Sequence, residues 1–512
     1  LDQKIEQFQD ALAASLGLDV MAFRTNESIA ATGGFRGGSA DETPRSAIPG
    51  EDIRVRVHAT AAAADVTLSK VWLASASGAP WKSDLLSGAI IGSRQVNDPI
   101  FRVTVAENAE PTRPFFTRPT IEQPYYDISN PEWRLRSFAP WPLAAWAEYS
   151  FDGVPVRVGG VVQTLEHVTG PGGIYEPLVV TPAIGVRVDP EARILPLDGG
   201  VLPVRVTIHT QSAAEGTVEL KLPAGWHAEP AEAKFHRTNA GDAEPILFSV
   251  TPSATQTGAY SIQAVAHFAG HAYESGWRSV GYAGLRPYNK YTPAVLNTRK
   301  VDVKLASGLR IAYVMGPGDL VPEAIEGLGV KPHLLTPAEL TSGDLAAWNV
   351  IVVGIRAYSV RPDLAAAQAR LDEFVGEGGT LIVQYQSGNF PAPLPIAMGR
   401  SPERVVDEQT PVKLLDPANN LLTSPNKITA TDFDGWIEER GHGFPDSWDS
   451  GYTALTETAD AGQDPQRGGL LVTHPGKGTY IYVAYALYRQ LPELVPGAYR
   501  LLANLLSAGN PQ

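Results

Sequence analysis

The chain has 512 residues, of which 44% are hydrophobic and 19% charged, enough for about two to four separately cored domains. Its formal charge is −14, from 41 basic and 55 acidic residues with no Lys/Arg cluster, which argues against nucleic acid and against an anionic membrane surface as partners. There is no cysteine, which excludes disulfides, thiolate zinc sites and Cys nucleophiles, and no apolar run of about 18 residues that would span a bilayer.

The sequence starts at Leu1 without an initiator Met or signal peptide, which is read as material removed upstream. Residues 1–17 predict an amphipathic helix, with Ile5, Phe8, Ala11, Leu12 and Leu16 on one stripe and Gly17 stopping the pattern. Such a helix cannot bury its stripe alone and must dock on another surface. Residues 24–50, with Gly33-Gly34, Gly37-Gly38 and Pro44, read as a linker.

From Asp52 the period becomes two: Ile53, Val55 and Val57 alternate with Arg54, Arg56 and His58. Further strands are expected at 66–72, 100–106, 154–164 and 177–188, which together predict an antiparallel β-sandwich over 51–187. Between Phe115 and Tyr149 stand nine aromatic residues in 35, against a chain average of 8%. Two readings stay open for them. Flat rings such as Tyr125, Tyr126, Trp133 and Trp141 could stack on sugars, or Pro-rich crossovers such as Ala139-Pro-Trp-Pro142 could use rings to plug a sandwich edge.

Strands at Leu202–His209, Gly216–Leu222, Pro245–Val250 and Tyr260–Phe268, with a turn before Trp226, predict an immunoglobulin-like sandwich over 188–285. His267 and His271 flank a predicted hairpin turn with no carboxylate pair near, so no metal site is assigned. Residues 286–308 read as a polar connector.

After 309 the grammar alternates. Strands at 309–315, 348–354 and 379–384, helices at 321–328 and 361–377, then strands near 469–474 and 478–485 and a helix over 496–507 predict a doubly wound parallel α/β sheet. Ligands of such sheets sit beyond the carboxyl ends of the strands, where this chain places Asp319, Arg356, Tyr358, Gln386, Asn389 and Arg489. The loop Met315-Gly-Pro-Gly-Asp319 is neither a dinucleotide fingerprint nor a P-loop and reads as a tight turn. Ser387, in Gln384-Tyr-Gln-Ser-Gly388, is a partial echo of a nucleophile elbow; with His474 it makes a hydrolase an alternative reading.

Several stretches resemble one family. Leu1-Asp-Gln-Lys-Ile-Glu-Gln-Phe-Gln-Asp-Ala-Leu12 with Leu16-Gly-Leu18 looks like the end of a PIG-L family deacetylase domain. Gly316-Pro-Gly-Asp-Leu-Val-Pro-Glu-Ala324, Val350-Ile-Val-Val-Gly-Ile-Arg-Ala-Tyr358, Gly379-Thr-Leu-Ile-Val-Gln-Tyr385, Arg489-Gln-Leu-Pro492, Val495-Pro-Gly-Ala498 and Arg500-Leu-Leu-Ala-Asn-Leu-Leu506 are similar to the class I glutamine-amidotransferase-like domain that closes long bacterial members.

The resemblance implies an organisation: 1–25, the terminal helix of an upstream deacetylase domain; 26–50, a linker; two β-sandwiches at 51–187 and 188–285; a linker at 286–308; and a flavodoxin-like or amidotransferase-like α/β domain at 309–512. It implies a periplasmic or extracellular protein whose zinc-dependent N-acetylsugar deacetylation resides upstream. The family's His-Pro-Asp-Asp-Glu run is missing, because the only His-Pro here is His474-Pro475, followed by Gly476. The amidotransferase elbow carries Gln384-Tyr-Gln386 where a Cys is needed. The expected role is therefore a non-catalytic accessory region with no cofactor of its own, partnered by the upstream deacetylase domain and by glycans. A stand-alone carbohydrate-binding protein is the second reading.

Overall fold

The computed structural model describes all residues except 1, 27–41, 64, 77–79, 89–97, 171, 254–255, 282–284, 400–402 and 510–512. The protein is β-rich and multidomain. Two sandwich-like units precede a unit built on a mainly parallel sheet, and their apolar residues gather into separate cores.

The first unit packs the strands Asp52–Ala61, Val66–Ser75, Ile100–Thr104, Leu143–Phe151 and Val154–Val168 around Val55, Val57, Val103, Ala145 and Val156, all fully buried. The last of these strands is 15 residues long and serves two sheets. Its first half pairs with Leu143–Phe151; beyond Val161 it pairs with Leu18–Thr25 and Gly172–Pro177. The changeover needs Gly159 and Gly160. A Cβ on Gly160 would lie 2.2 Å from the Val20 carbonyl oxygen, and one on Gly159 would lie 2.8 Å from the Trp146 ring.

Two expectations fail here. The helix stops at Ser15, and Leu18–Thr25, assigned to an upstream domain, is a strand of this sheet, paired antiparallel with Asp52–Ala61. Its alternation (Leu18, Val20 and Ala22 inward) is only three apolar residues long, too short to stand out. The proposed linker at 26–50 lies largely outside the described residues, but Ser46–Ala47 pairs with Val179–Val180 and buried Arg24 ion-pairs with Glu51, so its end belongs to the sandwich. The helix presses Ala13 onto the core, where Leu16 follows it, and leaves Ile5 and Phe8 exposed.

The second unit faces Ile184–Asp189, Leu202–Thr210 and Ile246–Thr251 against Ala192–Pro196, Ala214–Lys221, Glu232–Arg237, Gly258–Phe268 and Val295–Val301. Trp226 is buried against Tyr260, ring centres 5.1 Å apart. The connector expected at 286–308 is instead largely strand. Tyr288–Pro293 pairs with Ser275–Val280, and Val295–Val301 sits inside a sheet between Gly258–Phe268 and Ala192–Pro196. Two of its inward residues, Thr298 and Lys300, are polar yet buried, which hid the alternation.

In the third unit His333–Leu334, Ile311–Val314, Val350–Val353, Thr380–Gln384 and Thr479–Val483 run parallel in that spatial order, and Leu470–Thr473 and Thr453–Ala454 close the edge antiparallel. All four residues of Val350–Val353 are buried, as expected of a strand covered on both faces. Helices Val321–Gly327 and Pro496–Ser507 match their expected positions, while the helix expected at 361–377 breaks at Ala367 into Pro362–Ala366 and Gln368–Gly376. A buried amide pair ties the unit together: Asn504 Oδ1 accepts from Asn426 N and Nδ2, and Asn504 Nδ2 donates to the carbonyls of Leu421 and Asn426. Ile194 of the second unit packs into this core beside Val321 and Ile325.

A candidate oxyanion site at the carboxyl edge of the parallel sheet

The crevice between the first and third strands, where the chain reverses its direction across the sheet, is the usual place for a ligand. Here it is filled. Asp319 Oδ1 accepts from the Tyr313 hydroxyl at 2.7 Å and from Val321 N at 3.0 Å, and Gln384 Nε2 donates to the Tyr313 oxygen at 2.9 Å. Burial pushes the Asp319 carboxyl up from the usual carboxylate range. Gly316 and Gly354 let the two loops touch: a Cβ on Gly316 would sit 2.0 Å from the Ile355 carbonyl oxygen. Asp319 is thus a loop tie facing inward.

Three more of the expected residues are ties of the same kind. Gln386 is buried; its Nε2 donates to the carbonyls of Gly354 and Gln384, and its Oε1 accepts from Tyr358 N. The Tyr358 hydroxyl donates to Gln368 and its ring stacks on Phe390. Asn389 Oδ1 accepts from Met398 N.

The remaining two, Arg356 and Arg489, stand in a cluster one strand further along, among residues the sequence reading missed: Tyr385, Arg404, Glu438, Glu439, His442 and Tyr488. Tyr385 follows the strand Thr380–Gln384, and its carbonyl accepts from Arg356 N at 2.8 Å. The segment 438–442 crosses the end of Thr479–Val483, with His442 N donating to the Ala484 carbonyl and Ala486 N to the Arg440 carbonyl. This lays the His442 ring on the Tyr385 ring, centroids 4.4 Å apart and planes 25° apart. Gly443, at φ +79°, makes the approach possible, since a Cβ there would lie 2.6 Å from the Tyr385 ring.

The charges of the cluster are unequal. Glu439 is buried and accepts from Tyr488 Oη at 3.1 Å and Arg489 Nε at 2.9 Å, and Arg489 also ion-pairs with Glu438. Both carboxylates therefore serve Arg489. Arg404 Nη2 stands 3.5 Å from His442 Nδ1, and neither Arg404 nor Arg356 has a carboxylate partner among the described residues. Burial, then the neighbouring Arg404, Arg489 and Arg356, hold His442 below its ordinary value against the opposing pull of Glu439. Two residues at the cluster, Arg356 (φ 50°) and Glu438 (φ 62°), hold the left-handed backbone that side chains disfavour.

Ser387 and His474 do not meet. His474 lies in the turn before Thr479, which aligns with Thr380 at the amino edge of the sheet, and its Nδ1 is 3.3 Å from Thr479 Oγ1. Ser387 lies past Gln384 at the opposite edge, at least four strand residues or about 13 Å away, and its hydroxyl pairs with Ser359. At that separation Ser387 and His474 cannot act as a nucleophile–base pair. His267 sits 3.2 Å from Glu219 in a hairpin, and the described residues contain no group of three His, Asp or Glu side chains placed to hold a metal.

The aromatic segment divides. Trp133 and Trp141 line a cavity of about 500 Å³ with Trp81, Phe115, Phe138 and Tyr288, and Arg286 lies over the Phe138 and Trp141 rings. Tyr125 and Tyr126 are outside it and exposed, with the Tyr126 ring edge-on to Phe116. Phe115 is buried with its ring edge-on to Trp133, beside the open cavity. Glu122 Oε1 accepts from Glu438 N at 3.1 Å, which brings the aromatic excursion to the arginine cluster.

No family model matches this chain. No curated protein matches it either. Solved structures resemble parts of it weakly. The Calx CBD1 domain shares 11% identity over 23% of this chain and 96% of its own, with a TM-score of 0.15. A Salmonella alpha-2-macroglobulin reacted with methylamine shares 14% over 51% of this chain and 16% of its own, TM-score 0.17. A DUF4785 family protein of Legionella pneumophila shares 9% over 46% and 54%, TM-score 0.16.

Proposed function

We propose that this chain is a non-catalytic, substrate-engaging accessory region of a PIG-L family zinc-dependent deacetylase acting on N-acetylated sugars in the periplasm or outside the cell. Its third unit is a flavodoxin-like, amidotransferase-like domain that retains the sheet without the chemistry, and its second sandwich is immunoglobulin-like. The observation that carries the reading is the occupant of the elbow after Thr380–Gln384. An amidotransferase needs a free thiolate there. Gln386 stands there instead, buried and with three hydrogen bonds fixing its amide between the loops.

The strand order, with the second strand outside the first and the third, fourth and fifth following inward, supports the flavodoxin-like assignment. The partly exposed stripe of the first helix, Ile5 and Phe8, supports contact with a catalytic domain. Zinc belongs to that domain in this reading. A stand-alone carbohydrate-binding protein is the second reading, favoured by the aromatic-walled cavity at Trp133 and Trp141.

The test is to incubate the purified chain with N-acetylglucosamine oligomers and with glutamine, measuring released acetate and ammonia, and to titrate the oligomers calorimetrically. The proposal expects neither product, and binding that Trp133→Ala weakens. Acetate or ammonia release that scales with the chain would overturn it. Oligomer binding by the chain, with no acceleration of a PIG-L catalytic domain fused at its amino end, would favour the second reading.

A further inference from the structure

We propose that Arg356 and Arg404, set around the stacked Tyr385–His442 pair, form a binding site for the oxyanion of a small molecule, a carboxylate or a phosphate. This goes beyond the accessory reading and does not depend on an upstream domain.

Arg404 reaches the His442 ring, the Arg356 backbone is bonded to Tyr385, and the charges of both and of Arg489 act on His442, while the two glutamates of the cluster both lie on Arg489. Arg356 is fixed by its backbone, whose N–H is bonded to the Tyr385 carbonyl, and Arg404 by its approach to His442 Nδ1. Guanidinium groups meet carboxylate and phosphate oxygens in matched, charge-assisted geometry, so two unpaired ones at a sheet edge favour an anion over a neutral ligand. His442 faces Arg404, Arg489, Arg356, Glu439 and Tyr385, and an arriving anion would offset the positive charges around it. The left-handed backbone at both Arg356 and Glu438 places the strain of the loops at this cluster.

The nearest competitor for the site is the chain's own acid. Glu439 is buried on Arg489 and Tyr488, so it is already engaged, and Glu438 is bound to Arg489 while its N–H is held by Glu122. Neither reaches Arg356 or Arg404 as an ion pair among the described residues.

The experiment uses the whole chain with three probes: inorganic phosphate, glucuronate and, as the neutral control, N-acetylglucosamine. Calorimetry and the NMR titration of His442 are read together. The expected result is saturable binding of at least one anion, weakened about tenfold or more by Arg356→Gly and by Arg404→Gln, with His442 titrating at higher pH when the anion is bound. Arg356→Gly keeps the left-handed backbone, and thermal melting of both variants checks that they fold; if either does not, the His442 shift in the unaltered chain decides. Binding of phosphate alone assigns the oxyanion as phosphate, and binding of glucuronate alone assigns it as carboxylate. No anion binding, binding that neither variant weakens, or an unmoved His442 would overturn the proposal.

Discussion

Arg356 offers a separation of backbone strain from charge. Its φ of 50° and ψ of 21° are left-handed, which costs a side-chain-bearing residue about 1–2 kcal/mol. The N–H bond to the Tyr385 carbonyl is independent of the side chain for any residue but proline, and the exposed guanidinium makes no ion pair among the described residues. Glycine removes the strain but gains about 0.5–1 kcal/mol of unfolded-chain entropy, and the midpoints of the two ranges leave Arg356→Gly a net stabilisation of about 0.8 kcal/mol. For a unit of this size that raises Tm by about 1–4 °C. Arg356→Ala keeps the strain and loses only the charge, so it should stay within about 0.5 kcal/mol of the parent. Differential scanning calorimetry of the two variants is the assay. If alanine stabilises as much as glycine, the gain comes from removing a repelled cation and the strain argument fails. If glycine destabilises, the guanidinium holds contacts that this account denies it.

Other outcomes follow from buried contacts. Asn504→Ala removes four hydrogen bonds from a fully buried amide pair and orphans the Asn426 and Leu421 groups, which should cost about 3–5 kcal/mol in urea denaturation. Gly160→Ala would set a Cβ against the Val20 carbonyl where one strand passes between two sheets, and should destabilise the first unit by about 3 kcal/mol or more, read as an early melting transition. The lowered His442 value has a sign: the folded state binds fewer protons than the unfolded one, so stability is full above about pH 6.5 and falls as pH drops towards the folded value. His442→Gln should flatten that decline in melting curves taken from pH 7.5 to 5.

The sequence made the parallel unit legible because its strands are short apolar runs, such as Val350–Val353 and Thr380–Gln384, between glycines and helix-period segments. It hid Val295–Val301, whose inward Thr298 and Lys300 look like surface residues, and Leu18–Thr25, whose alternation is too brief to distinguish from a helix end. The sheet-edge rule led to Arg356 and Arg489 but also to Gln386 and Asn389, since polar loop residues look alike whether they tie loops or face a ligand. His442, Arg404 and Glu439 come from a long excursion between the fourth strand and the end of the sheet. Only the dense charge of Glu438-Glu-Arg440 beside Gly441-His-Gly443 marks it, and nothing in the spacing says that it folds back over Tyr385.

The most direct test of the site is a crystal structure of the chain grown with saturating glucuronate, and a second grown with phosphate. The account predicts an oxyanion held between the guanidinium groups of Arg356 and Arg404 above the His442 ring, with Glu438 and Glu439 still on Arg489. Both arginines paired instead to carboxylates of the chain, with the anion absent from the cluster in both crystals, would contradict it.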